Sequence, residues 1–411
     1  MVQHWIWLAE RKHLNDCARL GLLEHFGDPE RIYFAQEQEY KALELPPNGI
    51  QSLLDKDLGR AEEILEECRK KKIHILTFHD SGYPRKLKNI PDPPIVLYYK
   101  GTLPDLDGTP VIGVVGTRKA SGYGLQTARR LGYQIARCGG ILVSGLAKGI
   151  DAQSMHGALA ADGPLVGVLG GGADVVYPAE NRALFADTGN YGCLISEYPP
   201  GTRPFPQNFP RRNRIISGMS DGVLIVEAPV KSGALITAGL AADQGRDVFV
   251  VPANVDVESS QGSNALLRDG GIAVGSGWDI LSEYQARYPG KVREFHGGQL
   301  REEPAAKMVQ VAQKAEKFTK KSKDGASAEK KTIDNSDFTP YIDLTKILPS
   351  LSNAEQAIVS RLQSGQKLVD DVIAESGLAA PVVLASLTVL EVKGIVRRLP
   401  GRFVELRREK Q

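Results

Sequence analysis

"VIGVVGTRKASGYGLQTARRLGYQIARCG" (Val111 to Gly139) contains three textures in succession. Five apolar residues run without alternation, a glycine-rich loop follows, and then comes a helical spacing of apolar positions. An unalternating run suits a strand buried on both faces, and a helix directly after it suits a parallel sheet. Working outward, similar short runs recur: "ILV" (141–143), "LVGVL" (165–169), "CLIS" (193–196), "GVLIVE" (222–227), "DVFVV" (247–251) and "IAV" (272–274). Most of the intervals hold helical patterns. Strands alternating with helices predict an α/β domain with a doubly wound parallel sheet over residues 73–290.

The flanks differ. Residues 1–72 carry helical patterns and no strand pattern, as in "LNDCARLGLLEHFG" and in "LGRAEEILEECRKKK" with Leu58, Ile64 and Leu65 on one face. "PPNG" (Pro46 to Gly49) reads as a break between two halves of this helical domain. Residues 291–340, rich in Lys, Ser and Asp, have too few large apolar residues to offset ordering entropy and read as a disordered linker. Residues 341–411 predict three helices and a hairpin around Pro400-Gly401, the pattern of a winged helix.

The chain has 411 residues, with 51 basic and 49 acidic side chains, so its net charge is +2. Near-neutrality argues against a tail-driven nucleic-acid binder and makes any basic function a local patch. Cys17, Cys68, Cys138 and Cys193 form no Cys-x-x-Cys pair, so neither a metal site nor a disulfide framework is expected. Charge appears early at the N-terminus, and no apolar run approaches the ~20 residues that span a bilayer. The expectation is a cytoplasmic protein with no membrane contact.

In an open parallel sheet, ligands bind at the carboxyl ends of the strands. Four strand ends carry small residues, three of them with a cation: "GTRKASGYG" (116–124), "SGLAKGID" (144–151), "GGGAD" (170–174) and "APVKSGALITA" (228–238). Glycines let the backbone approach a ligand, and amides at a helix start favour phosphate. Gly116, Thr117, Arg118, Ser144, Gly145, Lys148, Lys231, Ser232 and Gly233 are therefore candidates for an anionic ligand. On the same rim lies "RPFPQNFPRRNR" (Arg203 to Arg214), with four arginines and no acid, placed near a helix start where cations are unfavourable unless an anion joins them. Arginine forks suit phosphate, and phenylalanine faces stack on bases, so Phe209, Arg211, Arg212, Asn213 and Arg214 fit a single-strand platform. On that reading the arginines stand partly uncompensated. The other reading pairs them with acids such as Glu180, Glu197 or Asp221 and puts the phenylalanines in the core.

A dinucleotide site wants Gly-x-Gly-x-x-Gly and an acid ending the second strand. This chain has "GVVGTRKASG" and a second strand ending "LVSG", and no phosphate-binding Gly-x-x-x-x-Gly-Lys-Ser/Thr loop. No nucleotide cofactor and no metal are expected.

Six ordered motifs, "GTRKASGYG", "SGLAKGIDAQSMHGAL", "LGGGADVVYPAENRAL", "SEYPPGTRPFPQNFPRRNRIISGMSDGVLIVEA", "SGALITAGLAADQGRDVFVVP" and "GSNALLRDGG", resemble those of the DprA (Smf) family of DNA-processing proteins of natural transformation. The resemblance covers roughly residues 75–285, and the flanking segments fit it. It implies an extended Rossmann-like domain that binds and protects single-stranded DNA, with an N-terminal helical domain (SAM- or helix-hairpin-helix-like) and a C-terminal winged helix. It further implies a homodimer that loads the RecA recombinase. The family's Gly-Ser/Thr-Arg loop falls on Gly116, Thr117 and Arg118, and its Phe-Pro-x-Arg-Asn-Arg stretch on Phe209, Pro210, Arg212, Asn213 and Arg214. The chain departs at "VPANV" (251–255), where the family has Val-Pro-Gly. It also departs at "PQN" before Phe209, where a basic residue is usual; Arg203 or Arg211 could supply that charge.

Two alternatives stand beside this one. The sheet also suits a nucleoside-monophosphate phosphoribohydrolase, but "EAPVKSGALITA" lacks that family's Gly-Gly pair and its glutamate. Asp151 and His156 lie five apart and read as a capping acid and a packed ring, so no catalytic residue is assigned. A winged-helix regulator would need polar base-readers on its recognition helix, whereas "APVVLASLTVLEVKG" (380–394) is nearly all apolar.

Overall fold

Six helices precede the first strand: α1 (Val2–Ala9), α2 (Asp16–Phe26), α3 (Pro29–Phe34), α4 (Glu37–Lys41), α5 (Pro47–Leu54) and α6 (Gly59–Lys71). The computed structural model describes residues 1–297, and then 352–362, 367–378, 382–383, 386–387, 389–390, 395–399 and 403–406. Asn15 caps α2 by accepting from the Ala18 amide at 2.8 Å, and Asp28 caps α3 from Glu30 at 2.7 Å. Pro47 stands at the first position of α5, where its missing N–H costs nothing, so "PPNG" begins a helix and is no break. On α6 the fully inward face is Ala61, Ile64 and Cys68; Leu58 and Leu65 are only half-buried.

Alternating strands and helices follow: β1 (His74–Thr77), α7 (Arg85–Lys88), β2 (Val96–Gly101), β3 (Val111–Val115), α8 (Gly122–Arg137), β4 (Ile141–Ser144), α9 (Ile150–Ala160), β5 (Leu165–Val168), α10 (Arg182–Tyr191), β6 (Cys193–Ser196), α11 (Asn208–Met219), β7 (Gly222–Ile225), α12 (Gly233–Asp243), β8 (Asp247–Val250), α13 (Gln261–Arg268), β9 (Ile272–Ala273) and α14 (Gly277–Leu281). The sheet order is β1-β2-β6-β5-β4-β3-β7-β8-β9. Strands β3 to β9 are parallel, while β1 and β2 run antiparallel at one edge. The chain builds outward from β3 through β4, β5 and β6, then crosses back to lay β7 on the other side of β3. That crossing creates a switch point between β3 and β7, the place where doubly wound sheets bind ligands.

Both sheet faces are covered, which is why the strands read as unbroken apolar runs. Ile112, Val114, Leu142 and Leu224 point into one core with Leu131, Ile135 and Met155 of α8 and α9. Val111, Val115, Val143 and Val223 point into the other, with Ile215, Ile216 and Met219 of α11 and Ala234, Ala238 and Ala241 of α12. The N-terminal helices have a third core, and it includes Ile95, Val96 and Tyr98 of the β2 edge. Residues 1–72 and the sheet therefore belong to one compact unit, and the described C-terminal residues to a second.

The expected linker, 291–340, lies mostly outside the described residues. Its first part packs onto the sheet domain: Val292 is buried, and the Arg293 amide donates to the Cys138 carbonyl at 3.0 Å. In the second unit, helices Asn353–Leu362 and Val369–Ser376 accompany a sheet ordered β10-β12-β11, with β10 Lys367–Leu368, β11 Val396–Leu399 and β12 Phe403–Leu406. Val383, Leu387 and Leu390 are buried there, while Val382 and Val389 face solvent.

Candidate nucleic-acid interface

A cleft of about 780 Å³ opens at the β3/β7 switch point. Its floor and walls come from the loop after β3 (Gly116 to Lys119), the loop after β7 with the start of α12 (Pro229 to Ala234), and one face of α11. Gly116, Thr117, Arg118, Phe209, Arg212, Asn213, Lys231, Ser232 and Gly233 all line it. Arg118, Lys119 and Lys231 are exposed, and none makes an ion pair among the described residues. Ser232 caps α12 by accepting from the Ala234 amide at 3.2 Å, and Asn213 Nδ2 reaches the Gly233 carbonyl at 3.5 Å.

Phe209 is the hinge of the wall. The Arg118 guanidinium lies 5.6 Å from its ring centroid and that of Arg212 lies 6.0 Å away, both within cation–π range. Tyr177, from the loop after β5, meets Phe209 at 5.3 Å between ring centroids and is itself 43% exposed. A smaller recess of about 280 Å³ adjoins these rings, lined also by Gly145 and Lys148. Lys119, which adds charge to the first loop as its sequence suggested, and Tyr177, which the sequence did not single out, both line the cleft. The signal for Tyr177 was an aromatic residue in the third strand-end loop, the one after β5.

The four arginines of "RPFPQNFPRRNR" do not act alike, because a helix distributes neighbours around its axis. Arg203 precedes α11 and is exposed, as is Phe205 beside it. Arg211 and Arg214, three apart, face the N-terminal helices rather than the cleft. Arg214 is buried, donating to Glu197 at 2.7 Å and to Asp16 and Asp92 at 3.1 Å each. Burial works against its charge, but the three carboxylates outweigh that and hold its pKa above the usual arginine value. Arg211 is 47% exposed and shares Asp16 at 2.8 Å and Glu197 at 3.5 Å. The expectation of uncompensated arginines is thus corrected at these two positions, where the pairing with Glu197 holds.

Arg212 is also buried, at 4% exposure, yet its side chain borders the cleft. It donates to the carbonyls of Gly145, at 3.0 Å, and of Val168, tying together the ends of β4 and β5. Burial lowers its pKa while Asp151 pulls it back up. Asp151 is buried too and accepts from the Gly145 amide at 3.2 Å. It therefore lies beneath the loop as a structural acid. Its pKa is raised by burial, with Arg212 opposing.

Ser144 does not line the cleft: it is fully buried, and its hydroxyl donates to the Val114 carbonyl at 2.7 Å. Lys148 is half-exposed and paired to Glu180. The start of α8, expected to offer free amides, is occupied from within. Ser121 caps it from the Gly124 amide at 3.0 Å, and buried Glu227 accepts from the Ser121 hydroxyl at 2.7 Å and its amide at 3.0 Å. Among the described residues no His/Cys/Asp/Glu cluster could hold a metal ion, and no helix is long and apolar enough to cross a membrane.

The sheet region, residues 74–285, matches the family model described as DNA recombination-mediator protein A, and residues 344–402 match the DprA winged helix domain. Protein Smf of Synechocystis sp. is 34% identical, covering 97% of this chain and 97% of its own length. The chain belongs to the DprA/Smf family. DNA processing protein DprA of Bacillus subtilis is 42% identical over 58% of this chain and 80% of its own. Among solved structures, DprA of Streptococcus pneumoniae superposes with a TM-score of 0.61 at 32% identity, covering 72% of this chain and 99% of that one. The DprA/Smf fold accounts for the extended Rossmann-like sheet, and the second family match assigns the C-terminal unit as a winged helix.

Proposed function

We propose that this DprA/Smf protein binds single-stranded DNA along the switch-point cleft without reading its sequence. The observation that carries the reading is the set of three exposed cations, Arg118, Lys119 and Lys231, unpaired among the described residues, around the Phe209–Tyr177 aromatic wall. Cations follow a phosphate backbone, and aromatic faces accept any base, whereas a duplex hides its bases from such a wall. Gly116, Thr117, Asn213, Ser232 and Gly233 then supply close backbone approach and short polar contacts; Gly145 and Lys148 border the aromatic recess. Arg211 serves the outer rim, and Arg212, Arg214 and Ser144 hold the scaffold.

The wider reading is that the protein acts in the cytoplasm as a homodimer, protects incoming DNA during natural transformation, and loads a RecA recombinase onto it. No catalytic step and no cofactor are assigned. Asp151, a buried acid in the cleft wall, accepts from the Gly145 amide and holds the loop after β4. A salt-titrated binding measurement with single- and double-stranded oligonucleotides tests the reading. Single strands should bind far better, with affinity falling steeply as salt rises. Equal affinity for both forms would overturn it. Phe209→Ala should lower single-strand affinity by about 1–3 kcal/mol without changing the salt slope.

A further inference from the structure

The first turn of α8 is where a Rossmann-type sheet ordinarily seats the phosphate of a nucleotide, because free amides and the helix dipole converge there. In this chain a carboxylate fills that position. Glu227 follows β7, is 1% exposed, and sends both carboxylate oxygens to Ser121 at the start of α8. No Lys, Arg or His makes an ion pair with it among the described residues, so the helix start itself provides its compensation. The fit is close. A Cβ on Gly124 would lie 2.0 Å from Glu227 Oε2, so the carboxylate lies directly against the first turn of α8. The Glu227 carbonyl also accepts from the Thr117 amide at 2.7 Å, tying the carboxylate to the loop that carries Arg118.

We propose that Glu227 is a specificity-determining residue: its carboxylate occupies the phosphate seat of α8 and so excludes free nucleotides from the cleft. This rests on the polynucleotide reading above and deepens it. A mononucleotide has one phosphate and needs a deep, multi-dentate seat to bind. A polynucleotide spreads many phosphates over the outer cations and does not need that seat. A protein in a cell rich in free nucleotides would otherwise have its cleft filled by them. Closing the seat from within removes the competitor while leaving Arg118, Lys119 and Lys231 open.

The test uses the full-length protein and adenosine monophosphate, with inorganic phosphate as a second probe. Glu227→Ala vacates the seat; Glu227→Gln keeps the volume and removes the charge. Calorimetry on Glu227→Ala should show adenosine monophosphate binding at least about tenfold tighter than to the parent, as expected when an anion gains charge-assisted bonds from Ser121. Phosphate should raise the melting temperature of Glu227→Ala more than that of the parent, with Glu227→Gln between the two. The inference is overturned if neither variant gains affinity for either probe. Should Glu227→Ala fail to fold, Glu227→Gln decides alone: a phosphate response equal to the parent's refutes the proposal. Single-strand binding by the parent protein tests the underlying reading separately, since it involves no variant.

Discussion

Arg212 Nη1 donates to the Gly145 carbonyl at 3.0 Å, while the Gly145 amide donates to Asp151, so one glycine is gripped from both sides. A Cβ at Gly145 would sit 2.5 Å from the guanidinium, so the position admits no side chain without moving the arginine. Arg212→Ala leaves the Gly145 and Val168 carbonyls without their donor and should destabilise the fold by about 1–3 kcal/mol for each buried acceptor left unpaired, measured by chemical denaturation. A stability unchanged from the parent would show that these bonds contribute nothing.

Arg211 and Arg214 share carboxylates but differ in burial, so they should respond differently to removal. Arg214→Ala strands Glu197 and Asp16 out of water and should cost about 3–5 kcal/mol. Arg211→Ala opens a half-exposed pair and should cost less than about 1 kcal/mol. Melting curves of both variants compared with the parent check the contrast.

Arg118 is exposed and, among the described residues, makes no ion pair, its one ring contact being to Phe209, so its removal bears mainly on a ligand contact. Arg118→Ala should keep the melting temperature and weaken single-strand binding by about 1.5–3 kcal/mol, the range for hydrogen bonds to charged groups. The salt slope should become shallower by about one unit, and Lys231→Ala should do the same. Normal affinity with an unchanged slope would remove Arg118 from the interface.

The four thiols fall into two classes. Burial pushes Cys68 and Cys138 up to about 11 and Cys193 to about 12, whereas Cys17 is exposed. Raised values keep these groups as unreactive thiols until pH climbs far above neutral. A thiol reagent near pH 8 should therefore modify one cysteine in the native protein, Cys17, and all four after denaturation. Fast reaction at Cys193 would contradict its burial.

The parallel strands were legible because burial on both faces leaves an unbroken apolar run, and "VIGVV" and "CLIS" match β3 and β6 residue for residue. Strand β1 was not, because His74–Thr77 mixes polar and apolar residues with Ile75 only half-buried, and β2 was missed although Ile95 to Tyr99 form an apolar run, because no helical pattern of the βα kind follows it. Composition marked the rim around residue 209 but not how its charges divide. The shared partner of Arg211 and Arg214, Asp16, lies on α2, nearly two hundred positions away, and local pattern carries no information at that range, whereas Glu197, only seventeen positions from Arg214, was among the acids the sequence offered. Ser144 shows the same limit: its loop was identified, but the direction of its hydroxyl depends on β3.

The shared core of the N-terminal helices and the β2 edge bears on how the chain can be cut. The family match starts at residue 74, which invites shortening to the sheet region alone. Yet Ile95, Val96 and Tyr98 are covered by Trp5, Leu22 and Ile64 among others, and Arg214 takes one of its three carboxylates from Asp16. A chain beginning at residue 73 would bare an apolar wall along a sheet edge and unbalance a buried cation beneath α11. Such a fragment would self-associate through that wall, making the helical prefix a built-in guard against aggregation.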